Sequence, residues 1–563
     1  MPCGRLVWVR GGNRHWMAGL VLGPLLRYVS ETEATVWVET DEACEVAVLG
    51  AVEPTFRVAG HHYALVRVEG LKAGTEHPYD VRLDGEVRWP TADSVLPEPV
   101  IRTLAGEGPL DIAFGSCRVA VPHEEPYTKS KDAHEEGHEV DALWVLSQEI
   151  ARDEGRRPDL LFLLGDQVYV DEGSPATRGK IEERRGTATE PGAEVTDFEE
   201  YTWLYQESWL EPRIRALLAS VSTSMLWDDH DMSDDWNISH SWVEEMRGRS
   251  WWAQRAIGCI ASYWIYQHIG NLSPAALDED DIYKEVRGNQ RAEEVLFEWA
   301  ERIESTGAGV RWSFCRDLGG TRAVFVDSRA GRVLTEGDRR MVDDEEWDWI
   351  VDKAEGDFDH LLIATTVPWL LSPGLDRLEA WNEKVCDGAH GKAAARAAEK
   401  LRRAVDFDHW GSFSKSFRAL RDLLGEVAAG RRGNKPGSVV VLSGDVHHAY
   451  LCEVGWPPGE AAEKAPIYQA VCSPYRNPLS KKEQRVIKAA FGKPFTQIAA
   501  ALADLAGAED PGIRWRLLDG PCFDNQVATL HVDGRHASMR LDKTIPGEHD
   551  EHSLETSFER DLA

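Results

Sequence analysis

The 563-residue chain lacks any surplus of basic charge: 63 Lys and Arg stand against 96 Asp and Glu, a formal net charge of −33. That excludes a nucleic-acid scaffold role, which needs cations to displace the counterions of a phosphate backbone. A small anionic substrate is not excluded, because a metal or a few cations can reverse the field inside one cleft. Elsewhere the excess acid reads as a solvated surface. Cysteine is also sparse. Cys3, Cys44, Cys117, Cys259, Cys315, Cys386, Cys452, Cys472 and Cys522 are scattered with no CxxC pair, which argues for reduced thiols and against a disulfide framework. Long apolar runs are missing too. The segment Ala18 to Leu26 is too short to span a bilayer, and Met1 to Met17 carries Arg5, Arg10, Arg14 and His15 without the apolar stretch of a secretory signal. A cytoplasmic protein with no membrane span is expected.

Apolar residues are plentiful, at 42% with 22 Trp, enough for the well-packed interiors of two to four domains. From Leu20 to Thr103 short alternating runs are separated by turn residues. Ala34-Thr-Val-Trp-Val-Glu39 alternates strictly, and Asp84-Gly85 between two such runs is a two-residue hairpin signal. The stretch Leu71 to Tyr79 resembles the corner of fibronectin type III-like sandwiches, with His77 where a Tyr is usual. An all-β sandwich is expected over residues 18–105, preceded by an N-terminal tail, 1–17. After Gly106-Glu-Gly-Pro109 the rhythm becomes strand and helix in alternation, which predicts an α/β domain over 106–545, with a polar tail over 546–563. Gly173 to Glu200 and Lys392 to Arg403 read as surface insertions. The first of these, with the Trp-rich segment Trp236 to Trp264, is expected to shape the mouth of a site, although the spacing of Trp251, Trp252 and Trp264 favours core over a base-stacking platform.

Four apolar runs each stop at metal-type side chains. Asp111-Ile-Ala-Phe-Gly-Ser ends at Cys117; Asp159-Leu-Leu-Phe-Leu-Leu-Gly ends at Asp166, with Tyr169 three residues on. Ser224-Met-Leu-Trp ends at Asp228, Asp229, His230 and Asp231; Ser438-Val-Val-Val-Leu-Ser-Gly ends at Asp445, with His447 and His448 behind it. Such runs read as buried strands, and ligands gather beyond the carboxyl ends of strands in α/β sheets. Thiol, phenol, carboxylate and imidazole together point to one multinuclear metal centre for phosphate-ester hydrolysis. A phenolate and a thiolate favour a metal more acidic than Mg²⁺; ferric iron fits best, zinc less well. The oxygen ligands around Ser233-Asp-Asp-Trp-Asn237 suit Ca²⁺ or Mg²⁺. Asp445 and His447 fall on one side of an extended segment, leaving His448 as a bystander.

Phe114-Gly-Ser-Cys117-Arg118, Gly165-Asp-Gln-Val-Tyr169, Trp227-Asp-Asp-His-Asp231 and Ser443-Gly-Asp-Val-His447 together resemble the PhoD-like alkaline phosphatases of the calcineurin-like metallophosphoesterase superfamily. Val326-Asp-Ser-Arg329 and Asp408-x-Trp410 look like further landmarks in the same order, and Gly-Asp-x-x-Tyr is also similar to the iron motif of purple acid phosphatases. The resemblance implies a four-layer α/β/β/α catalytic domain holding Fe³⁺ with Ca²⁺ as partner metal, or another divalent cation such as Mg²⁺, Mn²⁺ or Zn²⁺. It implies Cys117, Asp166, Tyr169 and His447 on the iron, and a second metal on Asp166, Asp229 or its neighbour, and Asp445. Asp234, where relatives often have Asn, makes that second site more negative.

The expected reaction is in-line attack by a metal-bound hydroxide on a small phosphorylated substrate, a phosphomonoester. His230 is the candidate to contact the phosphate or protonate the leaving oxygen, and Arg118 the candidate to hold a phosphate oxygen. A phosphodiesterase on the same core is the alternative among enzymes. A non-catalytic, metal-stabilised binding protein is the alternative from another class.

Overall fold

A computed structural model describes residues 17–91, 98–153, 156–307, 310–457, 464–548 and 551–563. The tail expected over 1–17 lies outside them except for Met17. No helix is long and apolar enough to cross a membrane among the described residues, and the eight described cysteines are all free.

Two sheets form the centre. One has six strands in the order Ser222–Leu226, Leu160–Leu164, Leu110–Gly115, Gln526–Asp533, His536–Ile545, Ser553–Asp561, the first three parallel. The other has seven, with Thr321–Val326, His360–Thr365, Ser438–Ser443 and Ile467–Val471 running parallel in its middle. The apolar strands have no polar face because both faces are covered. Ile112, Phe114, Phe162 and Leu164 meet Phe325, Leu362, Val440 and Leu442 between the sheets. The alternate residues of the seven-stranded sheet, Ile363, Val439 and Val441, pack on Phe413, Phe417 and Leu424. Those of the six-stranded sheet, Ala113, Leu161 and Leu163, share a core with Leu143, Tyr201 and Leu217 of the helices outside it. The layers are α/β/β/α, as expected.

Residues Leu20 to Arg102 form the expected all-β unit, with a four-stranded sheet on each side of a core that includes Val36, Val38, Val66 and Val81. The strictly alternating strand Glu33–Thr40 nonetheless buries nearly every residue. Its second face, with Trp37 beside Phe56, Tyr63 and Leu65, packs into the helical layer of the larger unit. His77 sits at the expected corner, its ring nitrogen 3.3 Å from the Lys72 carbonyl.

His61 ties the two units together. Its ring nitrogens meet Glu39 of the sandwich at 2.7 Å and Glu199, on the helix Phe198–Trp209, at 2.9 Å. Burial opposes the imidazolium, but the two carboxylates outweigh it and raise its pKa from 6.5 to about 9. Because the folded value is the higher one, this contribution is complete below pH 6.5 and is lost as pH rises through about 9. We expect His61→Gln to cost roughly 2 kcal/mol at neutral pH and almost nothing above pH ~10, read from urea midpoints across that range.

Two sequence expectations are corrected. Ser553–Asp561, placed in a polar tail, is the edge strand of the six-stranded sheet, pairing with His536–Ile545; its charged residues are what an edge strand needs to resist further pairing. The Trp-rich segment lies in the core and not at a mouth: Trp236, Trp242, Trp252 and Trp264 are buried in the helical layer that receives the sandwich.

Candidate metal centre

The four motif strands end on one side of the two sheets, and residues just beyond three of them adopt backbone that side chains rarely tolerate. Cys117, Asp166, Asp445 and His447 have φ of 58°, 51°, 66° and 51°. Left-handed backbone at non-glycine residues is uncommon and gathers at functional sites. Gly165, at φ +123°, admits its neighbour from the next strand: a Cβ there would lie 2.8 Å from that of Asp228. Gly444 performs the same service between the sheets, since a Cβ would strike the Ser116 hydroxyl. That hydroxyl accepts the Asp445 amide at 2.9 Å and lies 3.0 Å from the Cys117 sulfur, joining the two strand ends directly.

Asp166, Asp228 and Asp229 bring one carboxylate oxygen each within 4.8 Å of one another. Tyr169 places its hydroxyl 3.3 Å from Asp166, and the Cys117 sulfur lies 3.5 Å from the Asp445 carbonyl. His447 lines the same cleft as Asp166, Asp229 and Asp445. Asp166 Oδ1 and Asp228 Oδ2 are buried with no hydrogen-bond partner. Burial pushes both carboxyls far above the usual range; neighbouring carboxylates push the same way, and His230 for Asp166 and Arg329 for Asp228 pull back. Burial also raises the Cys117 thiol and the Tyr169 phenol, with nearby Asp166 adding to each. Orphaned buried oxygens next to a thiol and a phenol are a donor set that a cation satisfies and a dry core does not.

Arg329 holds this acid together. Fully buried, it bonds Asp228 and Asp408 through separate nitrogens, reaches Asp445 Oδ1 at 2.9 Å and lies 3.3 Å from Asp229 Oδ1. Beside it, His409 spans Glu379 at 2.8 Å and Asp445 at 3.1 Å. His230 presents Nδ1 to both oxygens of Asp171 at 3.1 Å and stacks on Tyr169. Burial disfavours its charge, yet Asp171, Asp229 and Asp166 raise its pKa well above 6.5.

Asp234 is exposed on the cleft lining, its Oδ1 3.9 Å from His230 Nε2. One of the expected site residues stands apart. Arg118 gives Nε to Asp141 at 2.7 Å and Nη1 to the Ser208 carbonyl at 2.8 Å, away from the cleft lining. A buried guanidinium already answered by a carboxylate has no reason to turn outward. His448 bonds the Val446 carbonyl through Nδ1. The mouth is likewise not built from Gly173 to Glu200. The cleft, about 390 Å³, is walled by Leu371, Leu375, Val405, Phe407, Ile487 and Phe491, and exposed Lys131 stands at its edge. Arg329, His409, Glu379 and Asp171 escaped assignment from sequence, although Arg329 directly follows the apolar strand Thr321–Val326 and the Asp-Ser pair that the motif reading marked.

Residues 141–293 match the family model of the PhoD-like phosphatases, and residues 17–101 match a domain of unknown function, DUF7800. No curated protein matches. Among solved structures, one titled "Structure of PhoD" superposes with a TM-score of 0.58 at 12% identity, covering 98% of this chain and 94% of that one. A maltogenic amylase from S. marinus gives a TM-score of 0.14 at 8% identity and carries no argument. The resemblance to the PhoD-like phosphatases is borne out over residues 141–293, which carry the motifs at Asp166 and Asp229, and over 98% of its length the chain shares the fold of the structure titled "Structure of PhoD".

Proposed function

We propose that the protein is a metal-dependent phosphoester hydrolase acting on phosphomonoesters. The observation that carries this reading is the pair of buried, unpartnered oxygens on Asp166 and Asp228, with Asp166 lining a cleft of substrate size alongside Asp229, Asp445 and His447. Cys117, Asp166, Tyr169 and His447 would hold Fe³⁺. Asp166, Asp228, Asp229 and Asp445 would hold a second ion, Ca²⁺ or another divalent cation. Bound there, the ions supply Lewis acidity to the phosphoryl oxygens and an acidified water as nucleophile.

The chain's own groups do the rest. Asp171 orients the His230 ring and keeps it protonated, so Nε2 can deliver a proton to the leaving oxygen. Lys131 forms no ion pair among the described residues and stands at the cleft edge as a cation able to hold a phosphate oxygen, a role that Arg118, turned toward Asp141, does not fill. Arg329 keeps three of the carboxylates aimed while lending them partial neutralisation. The apolar wall from Leu371 to Phe491 excludes water and receives the organic part of the substrate.

That wall also gives the phosphodiesterase reading its support, since it could accept a second ester substituent. Turnover of p-nitrophenyl phosphate but not its bis-ester, after loading with iron and calcium, is the outcome expected; the reverse preference would favour the diesterase. No turnover of either by loaded protein would leave the binding-protein reading. Tyr169→Phe should abolish a visible phenolate-to-iron absorption band while leaving the fold intact, checked by difference spectra and circular dichroism.

A further inference from the structure

The helix Lys481–Ala490, whose Glu483 and Ile487 line the cleft, is joined through Phe491 and Gly492 to a second helix, Lys493–Leu505. The second helix departs from a usual surface helix in keeping large apolar residues on its open face. It buries Ala499 and Ala503, the latter against Ala380 and Ala508, with Phe495 and Leu502 half-buried, and turns Ile498 and Leu505 outward. Ile498 is 63% exposed, Leu505 76%, and Val486 on the first helix 65%, the three most exposed large apolar side chains among the described residues. Pro494, Ile498, Ala501 and Leu505, all exposed, recur at three- and four-residue spacing and therefore share one face.

The same pair is basic in a chain that is strongly acidic. Within the pair, Lys481, Lys482, Arg485, Lys488 and Lys493 stand against only two acids, Glu483 and Asp504, and Lys481 also approaches Asp132 at 4.0 Å. Both acids are occupied: Glu483 accepts the Ser480 amide at 2.7 Å, and Asp504 pairs with Arg377 at 3.0 Å. Lys482, Arg485 and Lys493 form no ion pair among the described residues.

We propose that this helix pair docks on the surface of an anionic lipid bilayer. An exposed apolar stripe flanked by Lys and Arg is the combination that lets a helix lie in the headgroup region, the apolar side chains entering and the cations pairing with lipid phosphates. The net charge of −33 does not prevent approach, because screening over about 8 Å at physiological salt leaves the local cations to govern the contact. A protein partner fits less well, since protein interfaces are depleted in Lys. Contact is peripheral, no described helix being able to cross the bilayer. Ile487 and Phe491 of the same pair line the cleft, so docking brings its mouth next to the lipid surface.

The test is co-sedimentation of the full chain with phosphatidylcholine vesicles, with and without about one third phosphatidylglycerol. Binding is expected to the anionic vesicles alone, weakening as salt is raised. The triple variant Lys482→Glu, Arg485→Glu, Lys493→Glu should bind more than about tenfold more weakly. Ile498→Ser with Leu505→Ser should lose about as much while keeping the salt dependence. Thermal midpoints and circular dichroism check that the variants remain folded, and the lipid and salt dependence of the unaltered chain decides the matter if they do not. Equal binding to both vesicle types, no binding to either, or unaltered binding by folded variants would overturn the proposal. So would a concentration-dependent dimer abolished by Ile498→Ser with Leu505→Ser in a chain that ignores vesicles, which would assign the face to a second copy.

Discussion

Arg329→Met is expected to destabilise the metal-free protein by about 3–5 kcal/mol, the cost of breaking a buried ion pair by removing one partner. The single guanidinium answers Asp228, Asp408 and Asp445 and lies beside Asp229, with both the arginine and Asp228 shut off from solvent. Its loss leaves Asp408 with Arg332, at 3.1 Å, but Asp228 with only the Thr366 hydroxyl at 3.2 Å and local backbone. Arg329→Lys should recover little, because one ammonium cannot reach in three directions from a fixed plane. Urea midpoints of the three chelated proteins measure this. A Met variant within about 0.5 kcal/mol of the unaltered chain would mean that Arg329 is an ordinary surface-grade ion pair.

Asp166→Asn is expected to act in opposite directions on activity and stability. Loss of a neighbour that only orients a metal ligand already costs 10- to 100-fold, so loss of a direct ligand should lower phosphatase activity by more than about a hundredfold. Stability should move the other way once metal is removed. In the folded chain the Asp166 and Asp228 carboxyls titrate far above their ordinary value of 3.8, chiefly through burial. Between the unfolded and folded values the native state binds more protons, so stability of the chelated protein falls as pH rises. Asn removes one of these buried ionisations, and the fall should become shallower. Metal loading should flatten it in the parent chain and much less in the variant. Thermal midpoints from pH 5 to 9, with and without chelator, separate the two, and parallel curves would contradict the assignment of Asp166 as a ligand.

The motif strands were legible because each combines a buried apolar run with an abrupt polar end, a signal carried within a dozen residues. The same holds for the hairpin at Asp84-Gly85, whose turn signal is local. What sequence could not supply were contacts between layers. Arg329 and Asp228 are a hundred positions apart and meet only because two sheets stack face to face. Glu379 and Asp445 are joined through His409, whose position inside Asp408-x-Trp410 carries no metal pattern of its own. The strand Glu33–Thr40 alternates like a half-exposed strand, yet its second face meets Tyr266 of a distant helical segment through Trp37 and Glu39. That hidden interface is also why the Trp-rich helices are core. Ser553–Asp561 was unreadable for the opposite reason, since an edge strand protected by charge resembles a tail.

The exposed apolar face of Lys493–Leu505 and the proposed metal site rest on separate observations. Either can fail without the other. The central claim is narrower: Cys117, Asp166, Tyr169 and His447 close around one ion. The most direct measurement is anomalous scattering at the iron edge from crystals of protein purified without chelators. A strong peak bounded by the Cys117 sulfur, the Tyr169 oxygen, Asp166 and the His447 ring is the predicted result; no peak there, or iron held elsewhere in the chain, would contradict it.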